Sequence, residues 1–152
     1  MTTDRASIAV AHIGIAVEDL EPAARAFAKI FGITPSPVEE VPTEGVRLCF
    51  FELANCRIEL LEGTHPDSPI SKFLARGGRG VHHIAFSDDA TDIRKLLHEF
   101  KGDGVAVIDE KVRLAAENKE AFFVHPRDAQ GVLVEFVGER RRSESAPDDQ
   151  NA

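Results

Sequence analysis

Val81-His82-His83-Ile84-Ala85-Phe86 decides the fold, because Val10-Ala11-His12-Ile13-Gly14-Ile15 repeats it 71 residues earlier and places His12 under His83. An acidic turn follows both copies, Glu18-Asp19-Leu20 in one and Asp88-Asp89-Ala90 in the other. Downstream, Arg57-Ile58-Glu59-Leu60-Leu61-Glu62-Gly63 resembles Leu133-Val134-Glu135-Phe136-Val137-Gly138 at an offset of 75 to 76. The chain is therefore an internal duplication. Each half opens on a strand carrying a histidine and closes on a strand carrying a glutamate.

Strand periodicity says where these side chains point, since alternate residues face opposite sides. His12 shares a face with Gly14 and Ala16, and His83 shares one with Ala85 and Ser87. Both histidines look out over small residues, which suits a ligand cavity better than a packed core. His82 falls instead on the side of Ile84 and Phe86. In the last strand Val132, Val134 and Phe136 make the apolar face and turn Glu135 to the other one; Glu59 is likewise out of phase with Ile58 and Leu60.

The elements between these strands follow from periodicity and punctuation. After a strand over 8–17, Asp19 can cap a helix whose stripe is Leu20, Ala24, Phe27 and Phe31 and whose stop is Gly32. Pro35 and Pro37 push any strand in 33–41 to a sheet edge. A hairpin over 45–53 and 56–61 turns at Ala54-Asn55. Ser68-Pro69 starts a short connecting helix with Ile70, Phe73 and Leu74 as its apolar face. The second half repeats the plan: strand 81–87, a helix on Ile93, Leu96, Leu97 and Phe100, then strands 105–112, 120–124 and 131–137. The fold class is α+β, two paired βαβββ modules (8–63 and 81–138) forming a cupped mixed sheet in a single domain over 1–138. The segment 139–152, with its Arg140-Arg141-Arg142 triplet, reads as a disordered polar tail.

Composition narrows the class of partner. A net charge of -8 over 152 residues leaves no basic stripe for nucleic acid or an anionic membrane, so a small molecule is the expected partner. No run of 18 apolar residues and no leader-like start are present, and Cys49 and Cys56 lack metal-type spacing. A soluble cytoplasmic protein with buried thiols is expected.

Taken singly, a strand histidine or glutamate is most often an ordinary structural residue. Two His and two Glu at equivalent places in two halves, all opposite the apolar faces, are another matter. A duplicated fold brings equivalent strands together about a pseudo-twofold axis, and one shared divalent ion accounts for all four. Two imidazoles and two carboxylates neutralise such an ion and suit Co, Mn, Ni or Zn; a closed tetrahedral zinc site is the structural alternative.

This pattern resembles the vicinal oxygen chelate (glyoxalase-like) superfamily, in which two βαβββ modules cup a metal. Within it the chain is similar to the methylmalonyl-CoA epimerases through Ala11-His12-Ile13-Gly14-Ile15-Ala16-Val17, Glu44-Gly45-Val46, Ile58-Glu59-Leu60-Leu61, Ser68-Pro69-Ile70, Gly80-Val81-His82-His83-Ile84-Ala85, His125-Pro126 and Gly131-Val132-Leu133-Val134-Glu135. The resemblance implies His12, Glu59, His83 and Glu135 as metal ligands, an acyl-CoA substrate, and a homodimer. It implies epimerisation of methylmalonyl-CoA at C2 through a metal-stabilised enolate. Two departures stand out: Leu114-Ala115-Ala116-Glu117-Asn118-Lys119 replaces a glycine-rich loop, and Leu48 stands where some relatives carry a proposed catalytic glutamate.

Inverting a carbon by removing and returning its proton needs a group on each side. Glu135 is one candidate. Superposing Phe122-Phe123 on Phe50-Phe51 puts Glu120 at the place of Leu48, so Glu120 is the expected second catalytic residue. The alternatives are a glyoxalase I type isomerase acting on a glutathione hemithioacetal, and a non-catalytic small-molecule binder of the same fold. For CoA phosphates, Lys72, Arg76, Arg79, Arg113 and Arg127 are the candidate contacts.

Overall fold

Strands β1 (Ile8–Ala16) and β5 (Gly80–Asp88) pair antiparallel at the centre of the sheet, and two equivalent halves extend from them. The computed structural model describes residues 4–141. The first half adds α1 (Leu20–Phe31), β2 (Glu39–Val41), β3 (Val46–Glu52) and β4 (Arg57–Gly63). A connecting helix α2 (Pro69–Ala75) leads to β5, and the second half continues with α3 (Ile93–Gly102), β6 (Arg113–Leu114), β7 (Glu120–Val124) and β8 (Val134–Gly138). The eight strands run in the order β2-β3-β4-β1-β5-β8-β7-β6. Parallel pairs β1·β4 and β5·β8 sit in a sheet otherwise antiparallel, so each half is a βαβββ unit and the whole is a mixed α+β sheet.

One face of the sheet is closed by helices. Leu20 of α1 is buried on Cys49, Phe51, Ile58 and Leu60, while Ile93, Leu96 and Leu97 of α3 are buried on Phe122, Val124 and Phe136. Phe51 and Phe122, the anchors of the two halves, have no exposed surface. A fully buried side chain of this kind contributes on the order of 1.5–3 kcal/mol. Strand parity then commits the alternate residues, Leu48 and Phe50 on β3 and Ala121 and Phe123 on β7, to the other face. Helix α2 reaches that face at one end, where Ile70 packs with Val41, Val46 and Leu61.

Local chemistry matches the expected punctuation in most places. Gly32 ends α1 with φ 66, a left-handed conformation that favours glycine. Ser68 accepts from the Ser71 amide to start α2, and Asp92 accepts from the Arg94 and Lys95 amides to start α3. Asp19 does not cap α1 with its side chain; Glu62 Oε2, arriving from β4, accepts from the Leu20 amide at 2.6 Å and takes that role. The strand expected over 105–112 is the larger correction. That segment tracks β7 through the Val107–Val124 bridge, the Ile108 amide to the Phe123 carbonyl and the His125 amide to the Ala106 carbonyl. Asp109 Oδ2 then accepts from the Phe123 amide at 2.8 Å, so a side chain occupies the place of a ladder carbonyl and regular pairing resumes only at Arg113.

Most of the expected polar tail, 142–152, lies outside the described residues. Arg141, at its start, holds Asp92 Oδ2 at 2.6 Å. Among the described residues no helix is long and apolar enough to cross a membrane.

Candidate metal centre

Two small residues make room for the site. Gly14 on β1 lies in register between Glu59 on β4 and His83 on β5; Ala85 on β5 lies between His12 on β1 and Glu135 on β8. Gly14 and Ala85 are themselves equivalent in the duplication. Each lets a histidine from one neighbouring strand and a glutamate from the other lean over it and meet above the sheet. The clearance at Gly14 is tight, because a Cβ there would stand 2.2 Å from His83 Cε1. All four polar side chains are buried at their strand positions, with residue exposures of 3–7 %.

Five donor separations define the cluster. His12 Nε2 lies 3.0 Å from His83 Nε2, 3.1 Å from Glu59 Oε2 and 3.2 Å from Glu135 Oε2; His83 Nε2 lies 3.2 Å from Glu59 Oε2 and 3.0 Å from Glu135 Oε2. Adjacent ligands bonded to a divalent ion at ~2.1 Å, at right angles, are separated by ~3.0 Å. His12, His83 and Glu135 bring one donor atom each within 4.8 Å of one another, and Glu59 closes on both histidines from the β4 side. The 3.0–3.2 Å separations among His12, His83 and Glu135 match those of adjacent ligands, so these three residues could hold one divalent ion.

The electrostatics agree. Burial alone would push the His12 imidazole down, but its hydrogen bonds to Glu135 and Glu59, and their charges, raise it to about 9. The same competition, burial against Glu135 and Glu59, raises His83 to about 10. Glu59, which burial would raise, is held down to about 2 by hydrogen bonds from His12 and His83, and Glu135 is held below the usual carboxylate range by the same pair. The quartet is electrically neutral with two ring protons in place. Exchanging those two protons for one divalent ion preserves that neutrality, so the pocket has the charge such an ion requires.

Glu59, His83 and Glu135 of the cluster form the floor of a cavity of about 390 Å³ lined by Leu48, Leu61, Ala121, Phe123 and Leu133, with α2 along one wall. A second, more polar cavity of about 240 Å³, lined by His12, shares Glu59 and Glu135 with the first. Arg113 lies in the wall of the first. Its Nε is 2.8 Å from Asp109 Oδ1, its Nη1 is 3.0 Å from Glu44 Oε2, and its guanidinium lies 5.1 Å from the centre of the Phe123 ring. This bridge joins the two halves across the cavity wall.

Two readings of single residues change. Glu120 is buried on the helix side: its carboxylate takes Arg94 Nε at 3.1 Å and Nη2 at 2.6 Å from α3 and does not reach the cavity. The cause is a register slip of one residue. Phe50 faces Glu59 and Phe123 faces Glu135, so Phe50 is the partner of Phe123, and the counterpart of Leu48 is Ala121. His82, assigned to the apolar side by parity, lines the cavity instead, with its Nδ1 2.9 Å from His83 Nδ1 and its ring edge-on to Phe73 at 4.9 Å. Adjacent strand residues come to one side where a bulge shifts the ladder, as happens at His82 of β5 opposite Gly14 and Ile15. By holding the far nitrogen of His83, His82 fixes that ring's orientation and directs Nε2 into the cluster.

With this geometry in hand, likeness to known proteins becomes specific. Residues 11–123 match the Glyoxalase/Bleomycin resistance protein/Dioxygenase superfamily. The human mitochondrial methylmalonyl-CoA epimerase is 38 % identical over 126 residues, covering 82 % of this chain and 70 % of that one. An ethylmalonyl-CoA/methylmalonyl-CoA epimerase of Cereibacter sphaeroides is 35 % identical over 127 residues, covering 82 % and 93 %. A solved methylmalonyl-CoA epimerase in complex with methylmalonyl-CoA and NH4+ superposes with a TM-score of 0.80 at 31 % identity, covering 88 % of this chain and 98 % of the other. The chain belongs to the glyoxalase/vicinal oxygen chelate superfamily and, within it, to the methylmalonyl-CoA epimerase family, whose members are isomerases of the racemase/epimerase class.

Proposed function

We propose that this protein interconverts the C2 stereoisomers of methylmalonyl-CoA, with His12, Glu59, His83 and Glu135 as the ligands of one divalent ion. The observation that carries the reading is the neutral two-imidazole, two-carboxylate quartet at the floor of an apolar cavity, in a chain of this family. A divalent ion held there supplies Lewis-acid polarisation of the thioester and carboxylate oxygens, stabilising the charge that develops when C2 loses its proton. The protein's own groups do the rest. Leu48, Leu61, Ala121 and Phe123 exclude water around C2 and give the methyl group an apolar seat.

Proton transfer is assigned by elimination and symmetry. Leu48 and its counterpart Ala121 cannot titrate, and Glu120 lies on the other face. Glu59 and Glu135 remain, one from each half, approaching the histidine pair from β4 and from β8. In this reading Glu135 takes the C2 proton from one stereoisomer at its carboxylate oxygen, and Glu59, once it has taken a proton from solvent, delivers that proton to C2 on the opposite side, each carboxylate then exchanging its proton with solvent. A homodimer and a cytoplasmic location belong to the same proposal, by analogy within the fold family.

Heavy water separates the two carboxylates. Glu135→Gln should abolish deuterium uptake at C2 from one stereoisomer and Glu59→Gln from the other, each variant retaining its metal. Equal loss of uptake from both stereoisomers in each variant contradicts the two-sided assignment. Turnover of the methylglyoxal–glutathione hemithioacetal with none of the CoA ester would establish the glyoxalase alternative.

A further inference from the structure

In an acidic chain, the stretch from Ser68 to Ser87 contains no carboxylate but three cations, Lys72, Arg76 and Arg79. Two of them, Lys72 and Arg76, line the 390 Å³ cavity from α2; Arg79 does not. Lys72 lies on α2 and Arg76 caps its C-terminus, the Arg76 amide bonding the Lys72 carbonyl at 3.1 Å, so the two stand one turn apart, an axial separation of ~6 Å. Neither has a carboxylate within ion-pair distance among the described residues, whereas Arg113, the third cation of that cavity, is held by Asp109 and Glu44. Asp67, just before α2, is the acidic group on the same wall and forms no ion pair with either cation. The cavity therefore has the His–Glu cluster at its floor, apolar walls along Leu61, Ile70 and Leu133, and two uncommitted cations at its exposed side.

That sequence of environments is the sequence of groups along an acyl-CoA: a chelating acyl end, a pantetheine arm, and a phosphorylated nucleotide. We propose that Lys72 and Arg76 form a phosphate-binding rim that takes the diphosphate or 3'-phosphate of the coenzyme, a contact shared by any phosphorylated adenosine. Arg76 offers a planar fork to two phosphate oxygens, and Lys72 offers a point charge one turn away. Both side chains are exposed and unpaired, so replacing them removes charge without opening the core. The thioester end of this ligand rests on the epimerase reading; the phosphate end rests on the two cations alone.

The test compares substrates with and without the nucleotide. For the metal-loaded protein, kcat/KM is measured with methylmalonyl-CoA and with methylmalonyl-pantetheine, which lacks the phosphates of the nucleotide. In Lys72→Gln/Arg76→Gln the ratio of the two should fall by about 10- to 100-fold, carried by KM of the CoA ester, and that KM should lose much of its salt dependence. Titration of adenosine 3',5'-bisphosphate by calorimetry reads the same rim without turnover, and the double variant should bind it at least about 10-fold more weakly. A ratio and a nucleotide affinity both unaltered by the double substitution overturn the rim. Failure of the unsubstituted protein to turn over either thioester, with the nucleotide still bound through Lys72 and Arg76, overturns the epimerase reading and leaves the rim standing.

Discussion

At the scale of single residues, the site depends on what is missing as much as on what is present. Gly14 clears the ground for His83: any Cβ at that position meets the imidazole at 2.2 to 2.6 Å, a distance that forces the ring to move. Its backbone is ordinary extended strand, so an alanine there is strained by contact and not by φ/ψ. Gly14→Ala should consequently lose about 10- to 100-fold in metal affinity, the range found when a ligand's orientation is disturbed, while its unfolding free energy changes by about 1–3 kcal/mol at most. Metal titration against chemical denaturation distinguishes the two effects. Unchanged metal affinity in that variant contradicts the role given to Gly14. This clearance was legible in the sequence, since period-two alternation places His12 beside Gly14 and His83 beside Ala85. The involvement of His82 was not, because a parity rule carries no information about a bulge, and His82 is the extra residue of β5 between the His83–Gly14 and Val81–Ile15 pairs.

At the scale of elements, the same rule put Glu59 and Glu135 on the face opposite the apolar one, and the superposition of Phe122-Phe123 on Phe50-Phe51 misplaced Glu120. Duplicated strands are comparable only in register, and a slip of one residue transfers every side chain to the other face. Pairing Phe50 with Phe123 restores the register: both rings lie beside the quartet, His12 meeting Phe50 at 5.8 Å and His83 meeting Phe123 at 5.9 Å. Phe51 and Phe122, by contrast, belong to the helix-packed cores. Glu120 thus ties β7 to α3 through Arg94. Glu120→Gln should leave turnover within about twofold of the parent, since general acid/base assistance is worth ~100-fold or more where it exists. Its loss should appear in stability, at roughly 1–2 kcal/mol, a charge-assisted bond discounted for the half-exposed Arg94. A turnover loss near 100-fold would return Glu120 to the chemistry. The irregular run before β6 lay beyond pattern reading for another reason: Val105 and Val107 alternate as in a strand, yet Asp109 takes the ladder position through its side chain.

At the scale of the whole molecule, a duplicated sheet gathers four buried ionisable groups at its axis, and this sets how stability follows pH. In the metal-free protein the folded His12 and His83 titrate near 9 and near 10, above their ordinary 6.5. Their contribution is fully present below 6.5 and is lost as pH rises through 9 to 10. Glu59 runs the other way: its contribution is present above 4.5 and is lost as pH falls toward 2. Stripped of metal, the protein should therefore melt at progressively lower temperature between pH 7 and 10. Metal loading at pH 7 should release close to two protons per ion, measured by calorimetry in buffers of different ionisation enthalpy. A melting temperature that stays level or rises over that range, or release of no protons, contradicts the doubly protonated quartet. The fold was legible at this scale because the repeat of a histidine strand and a glutamate strand implies the pseudo-twofold pairing of β1 with β5.

The central claim, that the quartet of His12, Glu59, His83 and Glu135 with its divalent ion labilises the C2 proton of methylmalonyl-CoA, is tested most directly by proton exchange. Protein stripped by chelation and reloaded with one equivalent of a divalent ion is mixed with methylmalonyl-CoA in heavy water, and C2 deuteration is followed by NMR. The account predicts deuterium uptake and loss of stereochemical purity in step with metal occupancy, and neither in the stripped protein. Absence of uptake above background from the fully loaded protein would contradict it.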